Sequence, residues 1–219
     1  MIIEYPEKLL TQVKRATKDN RLTGFVPGMG SRHPRLVLIG EAPGREEIKQ
    51  GRPFVGSSGK ELTKMVELAG LTRDELYITS VVRSRPYSIK HVKNARGEVV
   101  EKHPNRTPTK REVKAFGHLF DWEISQLDAT VLVPLGNTSL QRLIGGQAKI
   151  GDLHAQVLHQ QILHLNAQDQ YELAGPTYWI IPMYHPAAYL YARRLEDTVK
   201  HDWRQLGQWL QEQENTNRR

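Results

Sequence analysis

Four short runs of branched, apolar residues constrain this chain more than any other feature: Leu36 to Ile39, Leu76 to Val82, Thr130 to Leu135 and Tyr178 to Tyr184. Each reads as a strand covered on both faces, the pattern of a parallel sheet buried between helices. The segments between them carry helical spacing. Leu62, Met65, Val66 and Ala69 recur every three or four positions, with Ser58 and Glu61 placed as a capping box and Gly70 as the stop. Thr109 with Glu112 opens a further helix whose apolar stripe is Val113, Phe116, Phe120, Ile124 and Leu127. Asn137 is placed to cap a helix bearing Leu140, Leu143 and Ile144, and Leu195, Val199, Trp203, Leu206 and Leu210 mark the last one. The expected architecture is α/β: three α/β/α layers around a central four-stranded parallel sheet. A length of 219 residues fits a single domain, 1–219.

Sheets of this kind bind ligands at the carboxyl ends of their strands, so the loops after Ile39, Val82, Leu135 and Tyr184 are where chemistry is expected. Two of them stand out. Gly40-Glu41-Ala42-Pro43-Gly44 closes the first run with a turn able to aim backbone N–H groups at a ligand. Glu46 and Glu47 follow, then Gly51-Arg52-Pro53-Phe54-Val55-Gly56. A lone aromatic among glycines has little core to fill, which makes Phe54 a candidate platform for a planar base, worth about 1 to 3 kcal/mol in stacking. It also reads as a loop residue tucked under the sheet. The fourth run ends in Tyr184-His185-Pro186, which aims His185 into the same cleft as Glu41. Tyr189, Leu190 and Tyr191 then precede Arg193 and Arg194, a combination suited to a wedge in a base stack with cations on flanking phosphates, and equally to the start of an amphipathic helix.

Lys and Arg number 31 against 24 Asp and Glu, a formal charge of +7 that favours a polyanionic partner. The excess gathers in residues 83 to 108, where Arg83, Arg85, Lys90, Lys93, Arg96, Lys102 and Arg106 face only Glu98 and Glu101 in what reads as a long basic loop. Residues around Leu153 to Leu165 suggest a hairpin. The absence of cysteine excludes disulfides, thiolate metal sites and thiol catalysis, and suits a reducing compartment. The start, Met1-Ile2-Ile3-Glu4, lacks the pattern of a secretory leader, and no apolar run approaches the roughly 20 residues of a bilayer span. A soluble, cytoplasmic protein is expected, with no membrane contact, no metal and no cofactor; protein partners are not specified by the sequence.

In order and spacing, Gly40-Glu41-Ala42-Pro43-Gly44, Gly51 to Gly56, Tyr77-Ile78-Thr79 with Arg85-Pro86, Val133-Pro134-Leu135-Gly136 and Tyr184-His185-Pro186 resemble the family 4 uracil-DNA glycosylases, from about Arg21 to Arg194. The resemblance implies a DNA base-excision glycosylase that hydrolyses the N-glycosidic bond of a flipped uracil or other damaged base. The base would stack on Phe54 and lie against Gly40, Ala42, Pro43 and Gly44, with Ser80 at its edge. His185 would donate to the base oxygen that gains charge as the bond breaks, and Glu41 or Glu47 would orient water or offset the oxocarbenium charge. Arg83, Arg85, Ala187, Tyr189, Leu190 and Arg193 are the expected DNA contacts.

Three departures from that family matter. Its members hold an iron–sulfur cluster on four cysteines, whereas here Ser84 and Phe116 stand at two of those places, so apolar packing around Phe116 is expected to replace the cluster. Ser80 stands where the family has the Asn that reads the uracil edge, and one hydroxyl cannot match two groups at once. Weaker uracil discrimination, or another damaged base, is expected. Ala42 occupies the place that related families fill with a water-activating Asp, which implies slow hydrolysis. A nucleic-acid-binding relative with weak or lost turnover is the second reading, and a nucleotide-binding module, opposed by Glu46 and Glu47 where phosphate would sit, is the third.

Overall fold

Branched residues that bury both faces of a strand form the centre of the molecule. Leu36, Val37, Leu38 and Ile39 are completely buried. The computed structural model describes residues 2–217, the side chains of Leu190, Tyr191 and Asn217 excepted. In chain order its elements are α1 (Glu7–Thr17), β1 (Leu22–Thr23), β2 (Met29–Gly30), β3 (Leu36–Gly40), α2 (Arg45–Gln50), α3 (Ser57–Leu68), β4 (Leu76–Ser80), β5 (Arg85–Pro86), β6 (Lys90–Lys93) and β7 (Val99–Lys102). There follow α4 (Lys110–Ala115), α5 (Gly117–Ser125), β8 (Val131–Pro134), α6 (Asn137–Ile144), α7 (Ile150–Leu153), β9 (Leu158–Leu165), β10 (Tyr171–Ile180), α8 (Ala188–Tyr191) and α9 (Glu196–Asn217).

The main sheet runs β2-β4-β3-β8-β10-β9. Its inner four strands, β4, β3, β8 and β10, are parallel, with Gly40 beside Ser80 and Val37 beside Leu132. The expected four-stranded parallel sheet is therefore present, extended by antiparallel edges β2 and β9 that no apolar run announced. The hairpin expected near Leu153 to Leu165 is β9 with β10. The fourth apolar run marks only the inner part of β10, because Tyr171 to Thr177 project past the core and stay largely exposed.

Successive side chains on a strand point to opposite faces. Leu36, Leu38, Leu76, Ile78, Val131 and Val133 pack with Leu62, Met65 and Trp203 beneath α3 and α9. Val37, Ile39, Tyr77 and Leu132 pack with Val13, Phe116, Leu119 and Phe120 beneath α1, α4 and α5. Two cores, one on each face, make the three-layer α/β/α arrangement.

Local signals fared unevenly. Thr109 and Glu112 form the expected reciprocal cap, Glu112 N–H to Thr109 Oγ1 at 3.2 Å and Thr109 N–H to Glu112 Oε2 at 2.8 Å. The helix they open is split at Phe116, where α5 begins with Gly117. There β9 presses so close that a Cβ on Gly117 would lie 2.3 Å from Leu165 Cδ1. The box expected from Ser58 and Glu61 does not form: Gly56 caps α3, and the Glu61 carboxylate accepts from Tyr189 and Lys64 instead. Gly136 rather than Asn137 caps α6, while Asn137 Oδ1 accepts the Ile150 N–H at 2.8 Å. The basic stretch 83–108 is not a plain loop, since β6 and β7 pair within it as an antiparallel hairpin. Among the described residues, no helix is long and apolar enough to cross a membrane.

Candidate active site

The carboxyl ends of β3, β4 and β8 open into a cleft of about 890 Å³ whose lining includes Glu41 to Glu47, Phe54, Ser80, Asn105, Arg106, Gly136, Thr138, His185 and Ala187. Parallel register sets its floor, because Gly40 and Ser80 are paired neighbours at the last position of their strands. The turn after β3 then leads straight into α2. Glu47, one turn into that helix and 8% exposed, reaches back so that Oε2 accepts the Gly44 N–H at 3.0 Å, while Oε1 accepts those of Val55 at 3.0 Å and Gly56 at 2.8 Å. One carboxylate thus fastens the two glycine-bearing loops together. Glu41 is held differently: Thr138 Oγ1 donates to its Oε2 at 2.6 Å, and no partner of Oε1 is found among the described residues.

Phe54 adopts φ +52°, a left-handed conformation that an aromatic side chain takes only under external constraint. Its ring packs into the core beneath α3 and α9, as the tucked-loop reading expects, and it also lines the cleft, where a base platform would have to stand. The His185 ring lies 5.9 Å away, centroid to centroid, tilted by 33°. His185 Nδ1 accepts the Ala187 backbone N–H at 3.2 Å, which leaves the ring proton on Nε2. Burial pulls the imidazole below its ordinary pKa, with nearby Glu47 pulling weakly the other way, so the neutral Nε2–H form prevails near neutral pH.

The structure therefore brings His185, Glu41, Glu47, Phe54, Ser80 and the 40–44 turn to one cleft. Three expected DNA contacts are corrected. Arg83 is 1% exposed and its guanidinium is paired with Glu123 inside the protein, so no phosphate reaches it. Arg85 is 7% exposed and donates to Asn105 Oδ1 at 2.6 Å and to the His103 carbonyl, which makes it a brace for the cleft wall. Tyr189 is buried and its hydroxyl donates to Glu61. Ala187 lines the cleft and fixes the histidine tautomer, and Arg193 is exposed just before α9. The Leu190 side chain lies outside the described residues.

Asn105, Arg106, Thr107 and Thr138 line the cleft without having been singled out as site residues. Arg106 is held there by two bonds of 2.7 Å to Glu112, whose carboxyl is drawn down to about 2: burial opposes the shift, and Arg106, the Thr109 N–H and Asn20 outweigh it. Thr138 follows the third apolar run and was within reach of the strand-end rule. The 105–107 segment was masked by its place at the end of a long basic stretch.

An iron–sulfur cluster does not fit this chain. There is no thiolate to hold one, Phe116 is buried among Val82, Leu119 and Phe120, and among the described residues no group of three or more His, Asp or Glu is arranged to hold a metal ion.

Comparison with known proteins matches residues 27–207 to the uracil DNA glycosylase superfamily. A Type-4 uracil-DNA glycosylase of Archaeoglobus fulgidus is 33% identical over 189 residues, covering 85% of this chain and 82% of the relative. One of Sulfurisphaera tokodaii is 31% identical over 194 residues, covering 84% and 74%. One of Thermotoga maritima is 38% identical over 125 residues, covering 57% of each.

Proposed function

The chain belongs to the uracil DNA glycosylase superfamily, and we propose that it is a monofunctional DNA glycosylase hydrolysing the N-glycosidic bond of a flipped uracil or other damaged base. The observation that carries this reading is a neutral histidine, its Nε2–H left free to donate by the Ala187 bond, set beside the Phe54 ring in one cleft. The base stacks on Phe54, with the 40–44 turn and Ser80 at its edges. As the bond from C1′ breaks, the electron pair leaves with the base, and His185 Nε2–H donates to the oxygen that takes up its charge. Water adds to C1′ and gives up a proton, which neutralises the departed base anion.

Of the two carboxylates, Glu41 is assigned to orient that water, because Thr138 occupies only one of its oxygens. Glu47 is assigned to hold the loops, since its oxygens already accept three backbone N–H groups. Arg193, exposed just before α9, is assigned as a phosphate contact. Residues 1–219 act as one domain, and the absence of cysteine supports a cytoplasmic setting.

A strand-nicking assay on oligonucleotides carrying uracil, hypoxanthine and mismatched bases tests the reading. Release of at least one base is expected, with His185→Ala slowing it by about 10² to 10³, the usual cost of removing one such donor. Tight binding of these oligonucleotides without release of any base would favour the non-catalytic relative.

A further inference from the structure

Between Pro86 and Pro104 the chain leaves the layered body and returns as the hairpin β6–β7. Lys90 pairs with Lys102, His91 with Glu101, Val92 with Val100 and Lys93 with Val99. Residues directly opposite on an antiparallel ladder share a face with Cβ atoms about 4.5 to 5.5 Å apart, and like charges there repel. Nothing on the hairpin relieves the Lys90–Lys102 pair. Glu101 is taken by His103 at 2.6 Å with His91 at 3.6 Å, and Glu98 accepts from the Asn94 amide at 2.7 Å. Among the described residues, Lys90, Lys93, Arg96 and Lys102 have no ion-pair partner, and all of them are exposed. The acids are engaged and the cations are left open. Asn94 Oδ1 accepts the N–H groups of Arg96 and Glu98 at 2.9 and 3.1 Å, so the tip that presents Arg96 is ordered in advance.

The root of the hairpin is part of the cleft. Tyr87 bridges to Asn105, the Ser88 N–H donates to the Pro104 carbonyl at 3.0 Å, and Arg85 grips His103 and Asn105. Lys102 stands three residues before Asn105, about 10 Å if extended, comparable to about three base-pair steps of rise along a DNA helix axis.

We propose that β6–β7 is a phosphate-binding arm for the DNA beside the flipped nucleotide. Lys90 and Lys102, on the face they share with Val92 and Val100, close on one backbone phosphate, and Arg96 at the tip reaches a phosphate further along; Lys93 lies on the opposite face. The proposal rests on the glycosylase reading for its ligand, and its test separates the two. Binding of the full-length protein to a uracil-containing duplex is measured across a salt series, beside single-turnover base release. Taking away one phosphate-binding cation flattens the slope of log K against log salt by about 0.9. Lys90→Gln with Lys102→Gln is expected to flatten it by about 1, Arg96→Gln by about 1, and Glu98→Lys to steepen it by about 1. The base-release rate at saturating protein should stay unchanged throughout. Slopes equal to wild type in all three variants overturn the arm, including the case in which the hairpin serves an acidic protein surface. Altered slopes with no base release from the wild type keep the arm and sink the glycosylase reading.

Discussion

At His185 a single backbone hydrogen bond decides which proton is on offer. With Ala187 donating to Nδ1, the proton sits on Nε2, and protonating the ring would break that bond and charge a buried group. Because the folded pKa lies below the ordinary 6.5, the unfolded chain binds the extra proton first as pH falls. This residue's contribution to stability is therefore full above about pH 6.5 and is lost as pH drops toward the depressed folded value. Base release should be flat from neutral pH upward and fall in acid, and the profile of His185→Asn, whose amide stays neutral, should lack the part of that fall due to imidazole. An unchanged profile in that variant would remove His185 from the reaction. Ser80, 8% exposed beside Gly40, bears on which base is chosen. Ser80→Asn adds both a donor and an acceptor at the cleft floor and is expected to raise the preference for uracil over cytosine by at least about tenfold, or about 1.4 kcal/mol. Equal release of the two bases by the variant would exclude Ser80 as a reader of the base edge. His185 and Phe54 were legible because a strand end and a glycine-bearing loop fix where they point. Arg83 was not: its charge suggested solvent, and its partner Glu123 lies far along the chain with no local pattern joining them.

The Phe54 loop depends on two neighbouring elements. Arg73, in the short turn between α3 and β4, donates to the Phe54 carbonyl at 3.2 Å and the Pro53 carbonyl at 3.1 Å. From the first turn of α3, Gly59 lies so close that a Cβ there would stand 2.1 Å from the Phe54 carbonyl oxygen. Left-handed backbone at an aromatic residue costs about 1 to 3 kcal/mol, and these contacts hold it in place. Arg73→Ala should slow base release by about 10- to 100-fold, the equivalent of one or two charged hydrogen bonds, whereas Arg73→Lys, with a single-point donor, recovers part of it. Comparing the rate at saturating protein with half-saturation checks this, since a merely structural arginine would alter neither in the folded fraction. Elements such as these were visible in the sequence where apolar spacing marked them. They were hidden where a cap depended on distant partners: Glu61 was spaced to cap α3, yet Tyr189 from beyond the fourth strand claims it. Edge strand β9 was legible only as part of a hairpin, because Leu158 to Gln161 alternates half-buried and exposed residues instead of forming an apolar run.

Across the whole molecule, the layers were readable because burying a strand on both faces demands apolar residues at every position, and four such runs sufficed to place the centre of the sheet. The layer of α1, α4 and α5 meets that sheet through the apolar stripe read from the sequence, but a polar network that also joins them was not readable. Glu123 of α5 is completely buried, and its carboxylate accepts from Tyr5 at 2.7 Å, Tyr77 at 2.8 Å and Thr79 at 3.1 Å while pairing with Arg83. Burial pushes the Tyr77 phenol up, so it remains a donor at any working pH. Tyr5 in turn accepts the Gly28 N–H at 2.9 Å, which brings the N-terminal segment and the loop before β2 into one network. Removing a single partner from such a centre leaves a buried cation without its counter-charge, at a typical cost of about 3 to 5 kcal/mol. Glu123→Ala should therefore melt about 6 to 20 °C below the parent, taking about 2 to 4 °C per kcal/mol for a chain of this size. Glu123→Gln keeps an acceptor for the two phenols and is expected to lose less, though it still strands Arg83. The network packs on the α5 side of the sheet and no member of it lines the cleft, so base release at low temperature should stay near the parental rate in both variants. Thermal melts beside single-turnover assays decide the matter: a melting point within about 2 °C of the parent, less than a single kcal/mol would move it, would show that the charge on Arg83 is met some other way.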